Sequence, residues 1–244
     1  MRGDRGIAIF DSGVGGLTVF AKLKKLMPNE DYIYFGDTAN MPYGDKTPEK
    51  LLELTRAAFD FFAAQGVKAV VMACNTTSAT VYEKVRNEYP FKIYPIIQSV
   101  AAGLAGAGRL GVFATEATVK SGAWSKCLGN AVEIACPEWV KLVESGKLKV
   151  ESVEEKTQEM LKHKPDKIIL GCTHYPYLLP ILTKFAPSEI FIDPGACFAE
   201  FIAADLEPSA GPGSETFYVS AAPEKFIQAA KMFYEINPEN VKLF

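Results

Sequence analysis

The sequence predicts an α/β protein built from two pseudo-symmetric, open parallel-sheet α/β domains, with the active site in the cleft between them. Residues 68–84 and 166–185 both run from a short apolar strand through a cysteine into the start of a new segment. Apolar runs of this kind are typical of parallel strands buried on both faces. Cys74 and Cys172 therefore occupy equivalent positions at the carboxyl ends of strands, where open parallel sheets bind ligands.

The repeat extends beyond the two cysteines in both directions, which indicates an internal duplication. The apolar run at 7–10 matches that at 110–113, and each lies about sixty residues before its cysteine. The run at 93–97 matches that at 190–192, about twenty residues after each cysteine. Each half therefore offers one thiol, and two such edges facing each other form one cleft with a thiol on each wall.

The chain is long enough, at 244 residues, for two small domains. We predict a first domain at residues 1–97 plus 206–244 and a second at 98–205. The stretch SAGPGS at 209–214 is typical of a turn or linker. It leads to a strand and then to a last helix at 223–235, which we expect to pack back on the first half.

Strands and helices alternate along both halves. The helix at 48–65 has its apolar side chains on one face, which indicates a buried stripe formed by Leu51, Leu52, Thr55, Phe59 and Phe62. Strands are predicted at 7–10, 32–35, 70–72, 109–113, 167–170 and 216–219. The remaining helices are predicted between the first strand and residue 26, at 98–107, and in a charged segment that ends near His163.

Cys74 lies where a strand ends and a helix begins. Asn75, Thr76, Thr77 and Ser78 follow it and are residue types that cap helices. The first N–H groups of a helix are unpaired and carry its positive dipole end, which stabilises a thiolate over a thiol. Cys74 is therefore either an anion at neutral pH or, as is common for free cysteines, a small apolar core residue.

The turn after the first strand reads DSGVGG at residues 11–16. Its glycines allow a ligand to approach the backbone, where N–H groups bind carboxylates or phosphates. The spacing fits neither G-x-G-x-x-G nor G-x-x-x-x-G-K-[ST], so a nucleotide site is not predicted. Asp11 either caps the strand end or holds and relays a proton beside the thiol site.

Two further loops carry candidate ligand groups. Tyr43 and Gly44 follow Pro42 in a loop rich in Gly, Pro, Asn and Asp, and either present a hydroxyl and an N–H or form a tight turn. Thr115 and Thr118 stand where the first half has its glycine-rich turn. They either offer hydroxyls to a ligand or cap a helix.

Composition excludes several classes of function. The net charge of −3 and the lack of any basic run beyond KLKK at 22–25 argue against nucleic-acid and membrane-surface partners. Only six residues precede the first strand and no apolar run is long enough to span a bilayer, so neither a signal peptide nor a membrane anchor is expected. Five cysteines in no framework fit a reducing cytosol. With only His163 and His174, and no ligand spacing at Cys127 and Cys136, no metal site is predicted.

Four motifs, in order, make the chain resemble the glutamate racemases of the aspartate/glutamate racemase superfamily over essentially its full length. They are DSGVGG at 11–16, GDTANMPYG at 36–44, ACNTTSA at 73–79 and GCTHYP at 171–176. Aspartate racemases of the superfamily tend to have an acidic residue where His174 stands, and its single-cysteine decarboxylases lack one thiol. Two departures are Asn40, where many members have a basic residue, and Thr77 in place of a common alanine.

The resemblance implies a cofactor-independent, two-base transfer of the α-proton. Cys74 and Cys172 would be the two bases, with Cys74 deprotonating D-glutamate and Cys172 deprotonating L-glutamate. Asp11, His174 and Glu144 would assist the proton transfers. The substrate-binding residues implied by the family are Asp11, Ser12, Tyr43, Gly44, Asn75, Thr76, Thr118, Thr173 and His174.

The resemblance also implies a setting: a bacterial, cytoplasmic enzyme, expected as a homodimer, that supplies D-glutamate for peptidoglycan synthesis. Glutamate is the expected small-molecule partner, and no cofactor, nucleic acid or membrane is expected. Two alternatives stay open. The cleft either serves a non-catalytic module that binds a dicarboxylate or amino acid, or it racemises a different acidic amino acid, because sequence does not give the side-chain length that the cleft accepts.

Overall fold

Two parallel sheets organise residues 5–146 and 150–244, the part of the chain that this computed structural model describes. The strands are β1 (Arg5–Asp11), β2 (Asp31–Gly36), β3 (Val67–Met72), β4 (Lys92–Pro95), β5 (Leu110–Ala114), β6 (Val132–Ala135), β7 (Lys167–Gly171), β8 (Phe191–Ile192), β9 (Ser214–Val219) and β10 (Val241–Leu243).

The helices cover the faces of these sheets. They are α1 (Leu17–Leu26), α2 (Pro48–Gln65), α3 (Asn75–Thr80), α4 (Tyr82–Val85), α5 (Ile96–Gly103), α6 (Glu116–Ser121), α7 (Ala123–Leu128), α8 (Glu138–Ser145), α9 (Val150–Leu161), α10 (Leu179–Leu182), α11 (Pro194–Asp205) and α12 (Pro223–Ala230). Short 3-10 turns lie at Tyr43–Asp45, Tyr175–Leu178, Ser188–Ile190 and Pro238–Asn240. None of the described helices is both long and apolar enough to cross a membrane.

The two sheets share one strand order. The first runs β10-β9-β2-β1-β3-β4 and the second β6-β5-β7-β8, and the described strand pairs are parallel. Strands β2-β1-β3-β4 therefore correspond one for one to β6-β5-β7-β8, with β9 and β10 added beyond β2. The predicted α/β class with two pseudo-symmetric parallel sheets is confirmed.

The register places the candidate residues at matching edges. In the first sheet Asp11 pairs with Gly36, and Phe10 pairs with Met72, two residues before Cys74. In the second sheet Ala114 pairs with Gly171, the residue before Cys172. Because parallel strands end on the same side of a sheet, Asp11 and Cys74 share one edge and Thr115 and Cys172 share the other.

The predicted helix at 48–65 agrees with α2. Thr47 caps it by accepting a hydrogen bond from the N–H of Lys50, Pro48 is its first residue, and Gly66 ends it at φ 65°. These are the residue types that start and stop helices. Four residues of the predicted stripe are buried, whereas Leu52 is only half-buried and packs at its margin.

Two other helices differ from the sequence expectation. The helix predicted at 98–107 begins earlier, at Ile96, because Ile96 and Ile97 are buried on the core side, and it ends at Gly103. The last helix ends at Ala230 and not at residue 235. Beyond it, Phe233 packs on Tyr177 and Tyr234 packs on Phe20, at centroid distances of 4.5 and 4.8 Å. The positions of Phe233 and Tyr234 are therefore set by contacts with distant parts of the chain and not by continuation of the helix.

One apolar cluster joins the two sheets. It contains Ile9 and Val71 of the first sheet, Val112 and Ile169 of the second, and Trp124 of α7. An ion pair also joins helices α1 and α11: Lys22 of α1 lies 2.9 Å from Asp193, at the start of α11. The first predicted domain boundary, after residue 97, falls inside α5, and the division at 97 and 205 stays a prediction.

Candidate active site

Both candidate cysteines line one cavity of about 510 Å³ between the two sheets. Cys74 comes from the edge of the first sheet and Cys172 from the edge of the second, as their equivalent strand positions require. They are 5% and 7% exposed. The other predicted residues that line the cavity are Ser12, Tyr43, Gly44, Asn75, Thr76, Glu144, Thr173 and His174, together with Thr115.

Cys74 occupies the N-cap position of α3. Its carbonyl accepts hydrogen bonds from the N–H of Ser78 at 3.0 Å and from the hydroxyl of Thr77 at 3.1 Å. Burial, followed by the charge of Asp11, raises the pKa of the Cys74 thiol to about 12. Burial therefore outweighs the donors at the start of α3 and favours the thiol, the second of the two alternatives, in the ligand-free protein.

Cys172 belongs to a chain of three polar groups. Its Sγ lies 3.9 Å from His174 Nδ1, and His174 Nε2 lies 3.1 Å from Glu144 Oε1. Burial lowers the pKa of His174, but the bonds to Cys172 and Glu144 outweigh burial and raise this pKa to about 10. His174 therefore holds a proton at neutral pH beside the sulfur of Cys172, where it can take part in proton transfer.

Asp11 lies behind the wall of the cavity and is fully buried. Its Oδ2 accepts the N–H of Gly13 at 3.0 Å, while Oδ1 has no protein partner. Burial raises the pKa of this carboxyl, and the nearby His174 opposes the shift. A buried carboxyl with a raised pKa that influences the charge of Cys74 is suited to hold or release a proton at that thiol.

The glycines at residues 15 and 16 allow the first-half turn to lie against the second half. A Cβ at Gly15 would lie 2.3 Å from Thr173 Oγ1 and 2.6 Å from the His174 ring. A Cβ at Gly16 would lie 2.5 Å from the Cβ of Asp11. The turn therefore lies so close to its neighbours that positions 15 and 16 have no room for a Cβ, and glycine is the residue that fits there.

Asn75 has an unusual side chain. It is 3% exposed, it lines the cavity, and neither Oδ1 nor Nδ2 has a hydrogen-bond partner. A buried amide without partners costs free energy, so its presence in the wall of a cavity indicates that a ligand supplies the missing bonds. Thr76 next to it contacts Thr115 across the cleft, with 2.9 Å between the two hydroxyl oxygens.

Tyr43 lines the cavity and opens the short 3-10 turn at Tyr43–Asp45. Its hydroxyl donates to Asp37 Oδ2 at 2.5 Å, so in the ligand-free protein this proton is not available to a ligand, and substrate binding by Tyr43 stays a prediction. Asp37 also accepts from Ser220 Oγ at 2.6 Å and from Asn40 Nδ2 at 3.0 Å. This buried carboxylate fixes the loop that carries Tyr43 and Gly44, a role that no sequence signal pointed to.

Thr118 is buried behind Thr115 and does not line the cavity. Thr115 caps α6 by accepting the N–H of Thr118 at 3.4 Å, and their hydroxyl oxygens are 3.0 Å apart. Helix capping is therefore confirmed for Thr115, which also lines the cavity. Direct substrate binding by Thr118 stays a prediction, and in this arrangement Thr118 acts on the cavity through Thr115.

The His, Cys, Asp and Glu side chains of the described residues do not form a cluster suited to a metal ion. Within residues 5–146 and 150–244 no three His, Cys, Asp or Glu side chains are close enough together to hold a metal ion. Cys136 is buried with its thiol directed at the carbonyl of Ile134, whereas Cys127 and His163 are exposed.

Lys141 also lines the cavity, one helical turn before Glu144, and the sequence analysis did not predict it. The three-residue spacing from Glu144 was the signal in the sequence that could have pointed to it.

The chain is similar to known racemases along nearly all of its length. The sequence profile of the family described as Asp/Glu/Hydantoin racemase matches residues 15–202. The glutamate racemase of Carboxydothermus hydrogenoformans is 38% identical over 97% of this chain and 95% of its own length. That of Gloeobacter violaceus is 38% identical, over 96% and 94% of the two chains.

Solved structures agree with these matches. The glutamate racemase of Francisella tularensis, solved with D-glutamate, has a TM-score of 0.89 at 29% identity, over 99% of this chain and 97% of that one. The Thermus thermophilus glutamate racemase, solved with β-chloro-D-alanine, has a TM-score of 0.89 at 31% identity and the same coverage. The resemblance seen in the four motifs is confirmed: the chain belongs to the Asp/Glu/hydantoin racemase family and is an amino-acid racemase, an enzyme of the isomerase class.

Proposed function

We propose that the protein interconverts L-glutamate and D-glutamate without a cofactor, using Cys74 and Cys172 as its two bases. The observation that carries the proposal is the pair of buried cysteines that reach one cavity from equivalent strand ends of two sheets. The names of the related enzymes support glutamate as the substrate. In a bacterial cytoplasm the product D-glutamate would serve peptidoglycan synthesis.

The chemistry requires a group on each face of the substrate. One thiolate removes the α-proton, and the opposite thiol delivers its own proton to the other face of the same carbon. The configuration inverts, and the two sulfurs exchange protonation states. Return to the starting state needs proton exchange at both sulfurs, which Asp11 beside Cys74 and His174 beside Cys172 are suited to assist.

The two sulfurs have different surroundings in the ligand-free protein. Cys74, with its pKa raised to about 12 by burial, begins as a thiol and hence as the proton donor. The Sγ of Cys172 lies 3.9 Å from His174 Nδ1, and the pKa of His174 is raised to about 10. Cys74 as the starting thiol fits L-glutamate, the enantiomer to which Cys74 delivers the proton in the family pattern.

The carbanion must be stabilised by the protein itself, since no electron sink is proposed. Preorganised hydrogen-bond donors are the main device available for such charge. The free amide of Asn75 and the hydroxyls of Thr76 and Thr173 lie in the wall of the cavity and are suited to hold the α-carboxylate. Asn75, Thr76 and Thr173 are themselves buried, and the low dielectric around them strengthens each of these contacts.

The test is incubation of metal-free and pyridoxal-free protein with L-glutamate, D-glutamate or L-aspartate in D₂O. We expect loss of optical activity together with α-deuterium incorporation for both glutamates and not for aspartate. Exchange of aspartate in place of glutamate would assign a different acidic substrate. Binding of glutamate by calorimetry with no α-exchange would instead support a non-catalytic binding module.

The quaternary state belongs to the same proposal. We expect a homodimer, as implied by the family, with a glutamate site in each protomer. Size-exclusion chromatography with light scattering tests this: a mass near twice 26.6 kDa supports the dimer. A mass at the protomer value that persists with glutamate present would contradict it.

A further inference from the structure

Helix α8 forms one wall of the cavity, and it is strongly two-sided. Trp139, Leu142 and Val143 are buried against the second sheet. The opposite side of the helix faces the cavity through Glu138, Val140, Lys141 and Glu144. Lys141 and Glu144 are three residues apart, so their side chains project from the same face of the helix.

Lys141 is the one lysine or arginine among the residues described as lining this cavity. Four carboxylates share the lining with it: Asp45, Glu116, Glu138 and Glu144. An amino acid with two carboxylates is a net anion, and these acids repel it. A cation in the lining is the group that offsets such repulsion.

Three of the four lining acids already have other partners. Glu144 contacts His174, Glu116 pairs with Lys120 at 2.5 Å, and Glu138 accepts the hydroxyl of Ser152 at 3.4 Å. Lys141, by contrast, takes part in no hydrogen bond or ion pair with any residue in the described part of the chain. Lys141 is exposed and lines the cavity, so its ammonium group is available to an anion that enters.

We propose that Lys141 binds the distal carboxylate of an acidic amino acid in the cavity and thereby favours dicarboxylic substrates. The inference rests on the proposed function, because it assigns a partner to the side-chain end of the same substrate. Residues three apart on a helix have Cβ atoms about 5–6 Å apart. The flexible four-carbon stem of lysine therefore lets its ammonium reach into the space next to the Glu144–His174 pair.

This role predicts a specific kinetic signature. The distal carboxylate keeps its charge while the α-proton moves, so its contact with Lys141 is equally strong in the ground state and the transition state. Loss of such a contact raises KM and leaves kcat nearly unchanged. Because the two enantiomers share one distal carboxylate and an equilibrium constant of one, KM should rise by a similar factor for both.

The experiment compares Lys141→Gln and Lys141→Arg with a matched control, Lys162→Gln. Lys162 is an exposed lysine of the same half that does not line the cavity. We expect Lys141→Gln to raise KM for both glutamates about threefold to fivefold, the effect of one partly exposed charge pair. The increase should shrink at high salt. Lys141→Arg should restore most of the affinity, and Lys162→Gln should behave like the wild type.

Competitive inhibitors identify which carboxylate Lys141 contacts. Lys141→Gln should weaken inhibition by glutarate, which has two carboxylates, and leave inhibition by butyrate, which has one, nearly unchanged. Unchanged KM in Lys141→Gln, or an equal loss for both inhibitors, would overturn the inference while wild-type racemisation still supports the proposed function. Absence of α-proton exchange in the wild type would overturn the function, and calorimetry of glutamate with the same variants would then decide the role of Lys141.

Discussion

Glu144 reaches across from α8 to His174, with 3.1 Å between Glu144 Oε1 and His174 Nε2. The contact joins a half-exposed carboxylate to a fully buried ring whose other nitrogen faces Cys172. It fixes the orientation of the imidazole and, with Cys172, accounts for the proton that His174 retains. The charge state of the second-half wall therefore depends on a residue outside the four sequence motifs.

Glu144→Gln should move the pKa of His174 from about 10 toward its ordinary value, because it removes an opposing charge and leaves burial in place. Histidine ring NMR signals, titrated between pH 5 and 11, measure this shift, and His163→Gln assigns the two histidines. A raised pKa contributes stability that is complete below about 6.5, the unfolded value, and is lost as pH rises through about 10. A titration of His174 near 6.5 in the wild type would contradict the role given to Glu144.

Cys74 should react slowly with iodoacetamide at pH 7, because its pKa of about 12 leaves almost no thiolate and its side chain is 5% exposed. Alkylation followed by mass spectrometry compares Cys74 with the exposed Cys127 in one sample. We expect Cys127 to be modified first, and the rate at Cys74 to rise steeply with pH. Preferential modification of Cys74 at pH 7 would show that the helix start governs its ionisation after all.

Asn75→Ala should separate activity from stability. The variant loses a donor to the bound carboxylate, and we expect kcat/KM to fall about 10²-fold or more. It also removes a buried amide that has no partner in the ligand-free protein, so the melting temperature should stay level or rise. Steady-state kinetics and thermal unfolding measure the two effects. A large fall in melting temperature with retained kcat/KM would mean that Asn75 is a structural residue.

Gly15→Ala should push the two walls of the cavity apart. Its Cβ would lie 2.3 Å from Thr173 Oγ1 and 2.6 Å from the His174 ring, so both side chains would have to shift. Overpacking of this kind costs about 1–3 kcal/mol of stability, and we expect activity to fall with it. Gly103→Ala is the matched control, because Gly103 is exposed on α5 and a Cβ there would have nothing within 4 Å. Equal behaviour of the two variants in unfolding and activity assays would refute the close contact.

Local sequence patterns predicted the parts of the fold that depend on local chemistry. Strand ends at Cys74 and Cys172 were visible because apolar runs and helix-capping residues flank both cysteines. The matching strand orders followed from the duplication. The ends of α5 and α12 were not predictable, because burial of Ile96 and packing of Tyr234 on Phe20 come from distant parts of the chain.

The site shows the same division between local and distant causes. The sequence motifs identified Asn75, Thr76 and Thr173, which line the cavity. They did not predict the hydrogen bonding or the protonation state of neighbouring residues. The hydroxyl of Tyr43 is bonded to Asp37, and the thiol of Cys74 is governed by burial. Both outcomes depend on tertiary surroundings that a single sequence does not display.

Both thiols act as bases in the proposed reaction, and substitution of each one tests this role most directly. Cys74→Ser, Cys172→Ser and the control Cys127→Ser would each be incubated with L-glutamate and with D-glutamate in D₂O, with folding checked by circular dichroism. We predict that the racemisation rate falls at least about 10²-fold for both enantiomers in Cys74→Ser and in Cys172→Ser. Cys127→Ser should match the wild type. Near-normal racemisation in either Cys74→Ser or Cys172→Ser would contradict the two-thiol account.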